Sequence, residues 1–130
     1  MELETDRYAT FRRDAQHQVV ELQWSAATAD MSESDFRRLI TRLAQHAEAH
    51  PGNNLLVDVR LFAYRAAPDF DTWRDNNIIP RYNGAQVKRM AFLLPSGAAP
   101  ASPPAPEGDA AFPTGYFDSR EKIDAWFGGG

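Results

Sequence analysis

The chain has 130 residues, of which 43% are hydrophobic and 25% are charged, so it has the composition of one globular domain with a single core. Its formal net charge of −4 argues against a nucleic-acid binder, because neutralising phosphates requires a concentrated lysine and arginine face. Cysteine is absent, which excludes disulfides, thiol nucleophiles and Cys-ligated zinc or iron–sulfur centres.

The first half of the chain predicts a hairpin, a helix and a central strand. Aromatic and β-branched residues at 8 to 13 and 19 to 24, with a polar turn between them, indicate an opening β-hairpin. Apolar residues recur at helical spacing from Phe36 onward, after Ser32 as a capping residue, and predict the first helix. Residues 55 to 59 are nearly all apolar, as is typical of a parallel strand covered on both faces.

A second helix and a further strand follow. Pro68 and Asp69 open the helix, since proline is tolerated in a first turn and an acidic residue suits the N-terminal dipole. We expect this helix to end just before Pro80, because proline disfavours helical geometry in the residue that precedes it. The apolar run at residues 87 to 94 predicts the next strand.

The last third begins with a proline-rich segment. Residues 95 to 113 contain six of the nine prolines, which predicts a mobile, polyproline-like loop rather than a packed element. A short strand at residues 115 to 117 and a helix over 119 to 127 are predicted to follow. The glycines at 128 to 130 are expected to form a disordered tail.

These elements predict a single α/β domain over residues 1 to 127. The predicted order is β-β-α-β-α-β-(β)-α. Strands separated by helices imply crossover connections and hence a mixed sheet, here of four to five strands, with helices packed against it.

The middle of the chain is its most basic part, with six basic and three acidic side chains between residues 60 and 89. In open α/β sheets, ligands collect beyond the carboxyl ends of strands, so residues after the predicted central strand are candidates for binding. Arginines among them are suited to holding an anion or a carboxylate. The candidate ligand-binding residues are Asp58, Arg60, Phe62, Tyr64, Arg74, Asn77, Arg81 and Tyr82.

Structural alternatives stay open for these residues. Asp58 and Arg60 can pair with neighbours while the other arginines are solvated. Aromatic side chains are most often part of the core, and the alternative is that they line an apolar pocket or a self-association face. The aromatic residues concerned are Trp24, Phe62, Tyr64, Trp73 and Tyr82.

Cofactor and metal sites are not predicted. His46 and His50 are four residues apart on the first helix, but two imidazoles do not complete a zinc site, and the helix dipole accounts for a histidine near a C-terminus. No Gly-x-Ser-x-Gly elbow or phosphate-binding glycine array is present. We therefore assign no catalytic residue.

The sequence indicates a cytoplasmic protein. Residues 1 to 6 are acidic and polar, unlike a secretory leader. The longest apolar runs are far shorter than the roughly 20 residues that span a bilayer, so no integral membrane segment is expected.

Several segments together resemble a known family. They are residues 54 to 60, Phe62, the helix around Trp73, residues 78 to 80, residues 87 to 95 and residues 117 to 126. In order and spacing they resemble the STAS-like group of small bacterial proteins related to anti-sigma-factor antagonists, also labelled STAS/SEC14-like. The resemblance implies a mixed sheet of four or five strands in a non-catalytic and often dimeric protein that acts through protein contacts or a small ligand.

Two features of the family bear on function. The antagonist branch is switched by phosphorylation of a serine that begins the helix after the central strand, but residues 60 to 70 contain neither serine nor threonine. SEC14-like relatives hold lipids in apolar grooves, and a chain of 130 residues leaves little volume for an acyl chain.

Two functional hypotheses follow. The preferred one is a non-catalytic regulatory or ligand-binding module that acts through a protein partner or a small anionic or amphiphilic ligand near residues 60 to 82. A homodimer formed through the hairpin edge is part of this hypothesis, and sedimentation showing only monomer at micromolar concentration would remove it. The alternative is a small enzyme with Asp58 as general base, which requires a raised Asp58 pKa, and with Arg60 and Tyr82 stabilising negative charge.

Overall fold

A mixed sheet of seven strands organises the structure, a computed structural model that describes residues 1–128. Helices cover the sheet on both faces, so the described chain forms one α/β domain, as the sequence predicts. In chain order the elements are β1 (Glu2–Thr5), β2 (Ala9–Asp14), β3 (Val19–Trp24), a 3-10 helix (Ala26–Asp30), α1 (Glu33–Ala49), β4 (Asn54–Asp58), α2 (Phe70–Asn77), α3 (Ile79–Gly84), β5 (Met90–Leu93), β6 (Ala105–Pro106), β7 (Pro113–Phe117) and α4 (Arg120–Gly128).

The strands lie in the order β1-β2-β3-β4-β5-β7-β6. Strands β3, β4, β5 and β7 are parallel, whereas the pairs at the two ends of the sheet are antiparallel. All five residues of β4 are buried, and Leu55 pairs with Val20 on one side and with Met90 on the other. The central parallel strand predicted from its continuous apolar run is confirmed.

Alternation along β4 divides the core between the two faces of the sheet. Leu55 and Val57 face the larger core, which is covered by α1, α2 and α3. Leu56 lies on the opposite face and packs with Ile123 of α4 in a smaller cluster. Adjacent residues of β4 therefore pack into different clusters, one on each face of the sheet.

Helix α1 matches its prediction closely. The Ser32 hydroxyl accepts a hydrogen bond from the Asp35 N–H at 3.1 Å and satisfies one of the free donors of the first turn. Phe36, Leu39 and Leu43 are at most 5% exposed and form the face that packs on the sheet. In the described part of the chain, neither α1 nor any other helix has the length and apolar character needed to cross a membrane.

The second helical region differs from the prediction at its end. Helix α2 stops at Asn77, but α3 begins at Ile79, after a single intervening residue. Pro80 lies in the first turn of α3, where the missing proline N–H breaks no helical hydrogen bond. Tyr82 is therefore a buried helical residue rather than part of the approach to a strand. Strand β5 starts at Met90, three residues later than predicted.

The predicted number of four to five strands was wrong. Strand β1 extends the opening hairpin at one end of the sheet, and β6 adds a two-residue pair beside β7 at the other. The acidic and polar side chains of β1 gave no apolar alternation from which to predict a strand.

The proline-rich segment is partly fixed to the domain, in contrast to the predicted mobile loop over residues 95 to 113. The part of the segment that follows β6 is bonded to the Asn83 side chain. The Asn83 side chain donates to the Asp109 carbonyl oxygen at 3.0 Å and accepts from the Ala111 N–H at 2.8 Å. These bonds attach the segment before β7 to α3. At the end of the chain, Gly128 belongs to α4, and the rest of the predicted glycine tail, residues 129 and 130, lies outside the described residues.

Candidate functional site

The structure divides the eight predicted ligand-binding residues among separate places. Two form a salt bridge at the carboxyl end of β4: Asp58 and Arg60. Three line a cavity on the face covered by α1, α2 and α3: Phe62, Arg74 and Tyr82. The other three make contacts elsewhere: Tyr64, Asn77 and Arg81. The residues therefore do not form one continuous surface.

The carboxylate of Asp58 is fully engaged by arginines. The backbone N–H and Nε of Arg60 donate to Oδ1 at 3.1 and 3.0 Å, and Nη2 of Arg60 donates to Oδ2 at 2.7 Å. Arg120 of α4 adds a second positive charge 3.7 Å from Oδ2. Burial by itself raises the pKa of Asp58, but the hydrogen bonds and these two charges outweigh it, so the pKa lies below its ordinary value. A general base needs the opposite shift and a free lone pair, so Asp58 does not have the geometry of one.

The contacts of Tyr64, Asn77 and Arg81 hold elements together. The Tyr64 hydroxyl donates to the Glu33 carboxylate at the start of α1, and burial together with this carboxylate raises the pKa of Tyr64 to about 12. The Asn77 side chain donates to a carbonyl of its own helix at 2.9 Å. Arg81 forms a salt bridge with Glu48, which links α3 to α1.

A cavity of about 130 Å³ lies between the sheet and helices α1, α2 and α3. Val57, Met90 and Thr114 form its floor on three neighbouring parallel strands, and Phe36 and Tyr82 belong to its helical walls. Its volume is close to that of a cavity lined by leucine, isoleucine and phenylalanine that accepts a benzene molecule, about 150 Å³. The cavity therefore has room for a single ring.

Half-buried residues mark where the cavity approaches the surface. Val59 and Phe62 follow β4, Phe70 begins α2, and Glu107 and Ala110 lie in the segment before β7. Asn83 attaches this last segment to α3. The half-buried part of the lining therefore includes two connecting segments, one after β4 and one before β7.

Arg74 contributes a basic side chain to the cavity lining, and 28% of that side chain is exposed. Its terminal nitrogens are 3.3 Å from Asp75 Oδ1 and 3.8 Å from Asp71 Oδ1. Its Nε is buried and has no hydrogen-bond partner among the described residues. Water does not reach this atom, so it lies within the packing around the side chain and not on the free surface of the cavity.

Two hydroxyl groups belong to the same lining. Tyr82 is 2% exposed and Thr114 is 5% exposed, and neither side chain makes a hydrogen bond to another residue in the range 1–128. Burial raises the pKa of Tyr82, and the positive charge of Arg74 partly opposes that shift. The Tyr82 phenol is therefore neutral at physiological pH and lies within the field of Arg74.

Glu107 has a fixed position at the edge of the cavity. The Tyr116 hydroxyl donates to Glu107 Oε2 at 2.6 Å, and the Tyr116 ring stacks on Phe92 with centroids 5.2 Å apart. Burial and the neighbouring carboxylate both raise the pKa of Tyr116. A half-buried carboxylate therefore borders the cavity, beside apolar walls.

Sequence reasoning missed part of this lining. Thr114, Glu107 and Ala110 lie in or next to the proline-rich segment, where no periodicity singles out a residue. Ile40 and Leu43 match the spacing of a helical core face, and such spacing does not distinguish a residue that borders a cavity from one in solid packing. The aromatic composition around residues 62 to 82 was the one available signal.

The two helix histidines have other contacts. His46 Nε2 is 2.6 Å from Glu4 Oε1, and His50 is the C-cap of α1, where its backbone N–H donates to the Ala47 carbonyl oxygen. Between residues 1 and 128, no three histidine, aspartate or glutamate side chains are grouped so that they could hold a metal ion.

Comparison with known proteins finds no match to a family model, to a curated protein or to a solved structure. The STAS-like resemblance therefore stays a prediction. The class that the fold defines is a single α/β domain with a mixed seven-stranded sheet, and an apolar, ring-sized cavity lies between this sheet and three of the helices.

Proposed function

We propose that this protein is a non-catalytic binding module that holds a small amphiphilic molecule in the cavity beneath α1, α2 and α3. The observation that carries the proposal is an apolar, ring-sized cavity whose lining includes the side chains of Tyr82 and Thr114. Ligand pockets typically combine apolar walls with a few polar groups that fix orientation. The site proposed here replaces the surface around Arg60, whose charge is engaged by Asp58.

The unfilled volume of the cavity supports a binding role. Protein interiors are close-packed, so side chains that border an unfilled volume lack contacts on one side. Most of the lining residues of this cavity are apolar, and a ligand that fills the space recovers contacts that the protein alone lacks.

The size of the cavity also limits the ligand. A lipid acyl chain needs an extended groove, whereas this volume corresponds to one ring with a small substituent. The proposed ligand is therefore a compact amphiphile and not one with a long acyl chain.

The catalytic alternative lacks a base at this site. Asp58 belongs to the opposite face of the sheet, near Arg120 of α4. Glu107, the carboxylate at the cavity edge, already accepts a hydrogen bond from Tyr116. These contacts favour binding without a chemical step.

Calorimetric titration with toluene, the simplest ring probe, tests the proposal. We expect saturable binding with a dissociation constant near 1 mM, about −4 kcal/mol. Ala110→Leu places a larger side chain at the cavity edge and should abolish binding. Ala111→Leu, at the exposed neighbouring position outside the lining, is the matched control and should bind as the unmodified protein does.

Failure of toluene to bind the unmodified protein would contradict the proposal. Equal binding by the Ala110→Leu and Ala111→Leu variants would contradict it as well, because the probe would then occupy another place.

A further inference from the structure

Charged side chains stand together where the lining of the cavity is half-buried. Arg74 and Glu107 belong to that lining. The terminal nitrogens of Arg74 are 3.8 and 3.3 Å from the Oδ1 atoms of Asp71 and Asp75, its neighbours on α2. A Cβ atom on Gly108 would lie 3.1 Å from Asp75 Oδ1, so the segment that contains Glu107 contacts α2 at this point. Three negative side chains therefore stand beside one positive side chain, and this border of the cavity is net negative.

One oxygen of the Glu107 carboxylate is free. Oε2 accepts the hydrogen bond of the Tyr116 hydroxyl at 2.6 Å, whereas Oε1 has no hydrogen-bond partner in residues 1–128. Oε1 is also open to water, because the unpartnered side-chain atoms that are closed to water in this range are Asn54 Oδ1 and Arg74 Nε. The salt bridges of Arg74 lie within α2. The negative charge of Glu107 therefore has no cationic partner in the described part of the chain.

A chain of contacts joins Glu107 to the aromatic wall of the cavity. Tyr116, which donates to Glu107, stacks on Phe92 with ring centroids 5.2 Å apart. Phe92 and Glu107 both line the cavity. The free carboxylate oxygen therefore belongs to a side chain that is held in place against this wall.

The remaining walls favour an aromatic ring. Trp24 lies with its ring centroid 5.8 Å from Phe36 and 5.1 Å from Phe62. Phe36 lies 4.8 Å from Phe70, and all four side chains line the cavity. Rings at these distances stabilise one another through tilted and edge-to-face contacts, and a further ring beside them extends the same packing.

We infer that the ligand is a small aromatic ammonium compound, whose single ring fills the apolar volume and whose positively charged amino group lies beside Glu107. This inference rests on the proposed function, because it names the class of molecule held in the same cavity. It departs from the sequence-based hypothesis of an anionic ligand, since a further negative charge at this border is repelled more than attracted.

The half-buried position of Glu107 suits a charged partner. An ammonium group that is taken entirely out of water loses hydration energy that a single carboxylate does not always restore. At a half-buried border the group keeps part of its hydration while one N–H donates to Glu107 Oε1. The ring, which needs no polar partner, takes the apolar space.

Three probes of similar size and shape separate the possibilities. At neutral pH benzylamine carries an ammonium group, benzyl alcohol is neutral, and benzoate is an anion. Each is titrated calorimetrically, at low ionic strength, into the unmodified protein and into the Glu107→Gln and Asp109→Asn variants. Glutamine keeps the length of Glu107 and an oxygen that accepts from Tyr116. Asp109 is exposed, outside the lining and in the same segment, so its variant is the matched control for the loss of one negative charge.

The unmodified protein is expected to bind benzylamine at least about threefold more tightly than benzyl alcohol, and benzoate most weakly, because an ion pair at a partly exposed site changes affinity by up to about fivefold. Glu107→Gln should remove the preference for benzylamine and leave the binding of benzyl alcohol nearly unchanged. Asp109→Asn should retain the preference.

A preference for benzylamine smaller than about threefold in the unmodified protein would overturn this inference, and so would benzoate binding as tight as that of benzylamine. Both results hold even if a variant fails to fold. A preference that survives Glu107→Gln would overturn the placement of the amino group beside Glu107. Each of these results leaves the proposed function standing if toluene still binds, whereas failure of toluene to bind, or toluene binding that survives Ala110→Leu, overturns the proposed function itself.

Discussion

The buried carboxylate of Asp58 shows how a residue that resembles a functional group can instead form ion pairs within the fold. Its side chain is 3% exposed, and it lies between Arg60 and Arg120. The lowered pKa of Asp58 means that its ion pairs contribute stability at neutral pH. That contribution is complete above its ordinary value of 3.8 and is lost as the pH falls through the lower folded value.

Replacement of Arg60 tests this structural role. Arg60→Ala removes both side-chain donors to Asp58 and should lower the free energy of unfolding by about 1 to 3 kcal/mol. The loss is smaller than for a fully buried pair, because the Arg60 side chain is 46% exposed and Arg120 remains. Urea unfolding at pH 7 measures it.

Arg65→Ala is the control for this change, since Arg65 lies in the same loop and is exposed. It should alter stability by less than about 0.5 kcal/mol. The difference between Arg60→Ala and the unmodified protein should shrink below about pH 4, as Asp58 becomes protonated. A loss of stability no larger than that of Arg65→Ala would contradict the structural role.

The elements that the sequence predicts well are those with strong periodicity. Helix α1 and strand β4 follow from apolar spacing and from the Ser32 cap, and their burial agrees with that pattern. Helix α3 could not be predicted in this way, because its six residues include a proline and a glycine. Strand β6 has only two residues, which is too short for an alternating pattern to appear in the sequence.

The loop between β4 and α2 is held by a cluster at the start of α1. Glu33 accepts hydrogen bonds from the Tyr64 hydroxyl and, at 3.3 Å, from the Ala67 N–H. Arg37 lies 2.5 Å from Glu33 and also contacts Asp69 at 3.1 Å. Helix α1 therefore holds the part of the loop that contains Tyr64 and Ala67, and this part follows Phe62, which borders the cavity.

Tyr64→Phe tests this attachment. The variant should remain folded, lose about 0.5 to 1.5 kcal/mol of stability, and show faster hydrogen exchange at the Ala67 amide, because Glu33 is then held less firmly. Tyr8→Phe is the matched control, since no hydrogen bond joins the Tyr8 hydroxyl to the described part of the chain. Unchanged exchange at Ala67 would contradict the role assigned to Tyr64.

The arrangement of the whole molecule explains why the site could be predicted only in part. Asp58 and Val57 are adjacent in β4 but lie on opposite faces of the sheet. Thr114 and Phe36 are far apart in sequence, and both line the same cavity. The volume of a cavity depends on how three helices pack on four strands, and sequence patterns do not encode that geometry. The edge position of β1 is compatible with the homodimer hypothesis, which stays a prediction.

The central claim is that a ring-sized ligand enters the cavity between the sheet and helices α1, α2 and α3. Titration of the isotope-labelled protein with toluene, followed by amide chemical shifts, tests it most directly. Saturable shifts are expected at amides around the lining, such as Val57, Met90 and Thr114, with little change at Lys122 on the opposite face. Shifts confined to the surface around Arg60, or no saturable shift at all, would contradict the account.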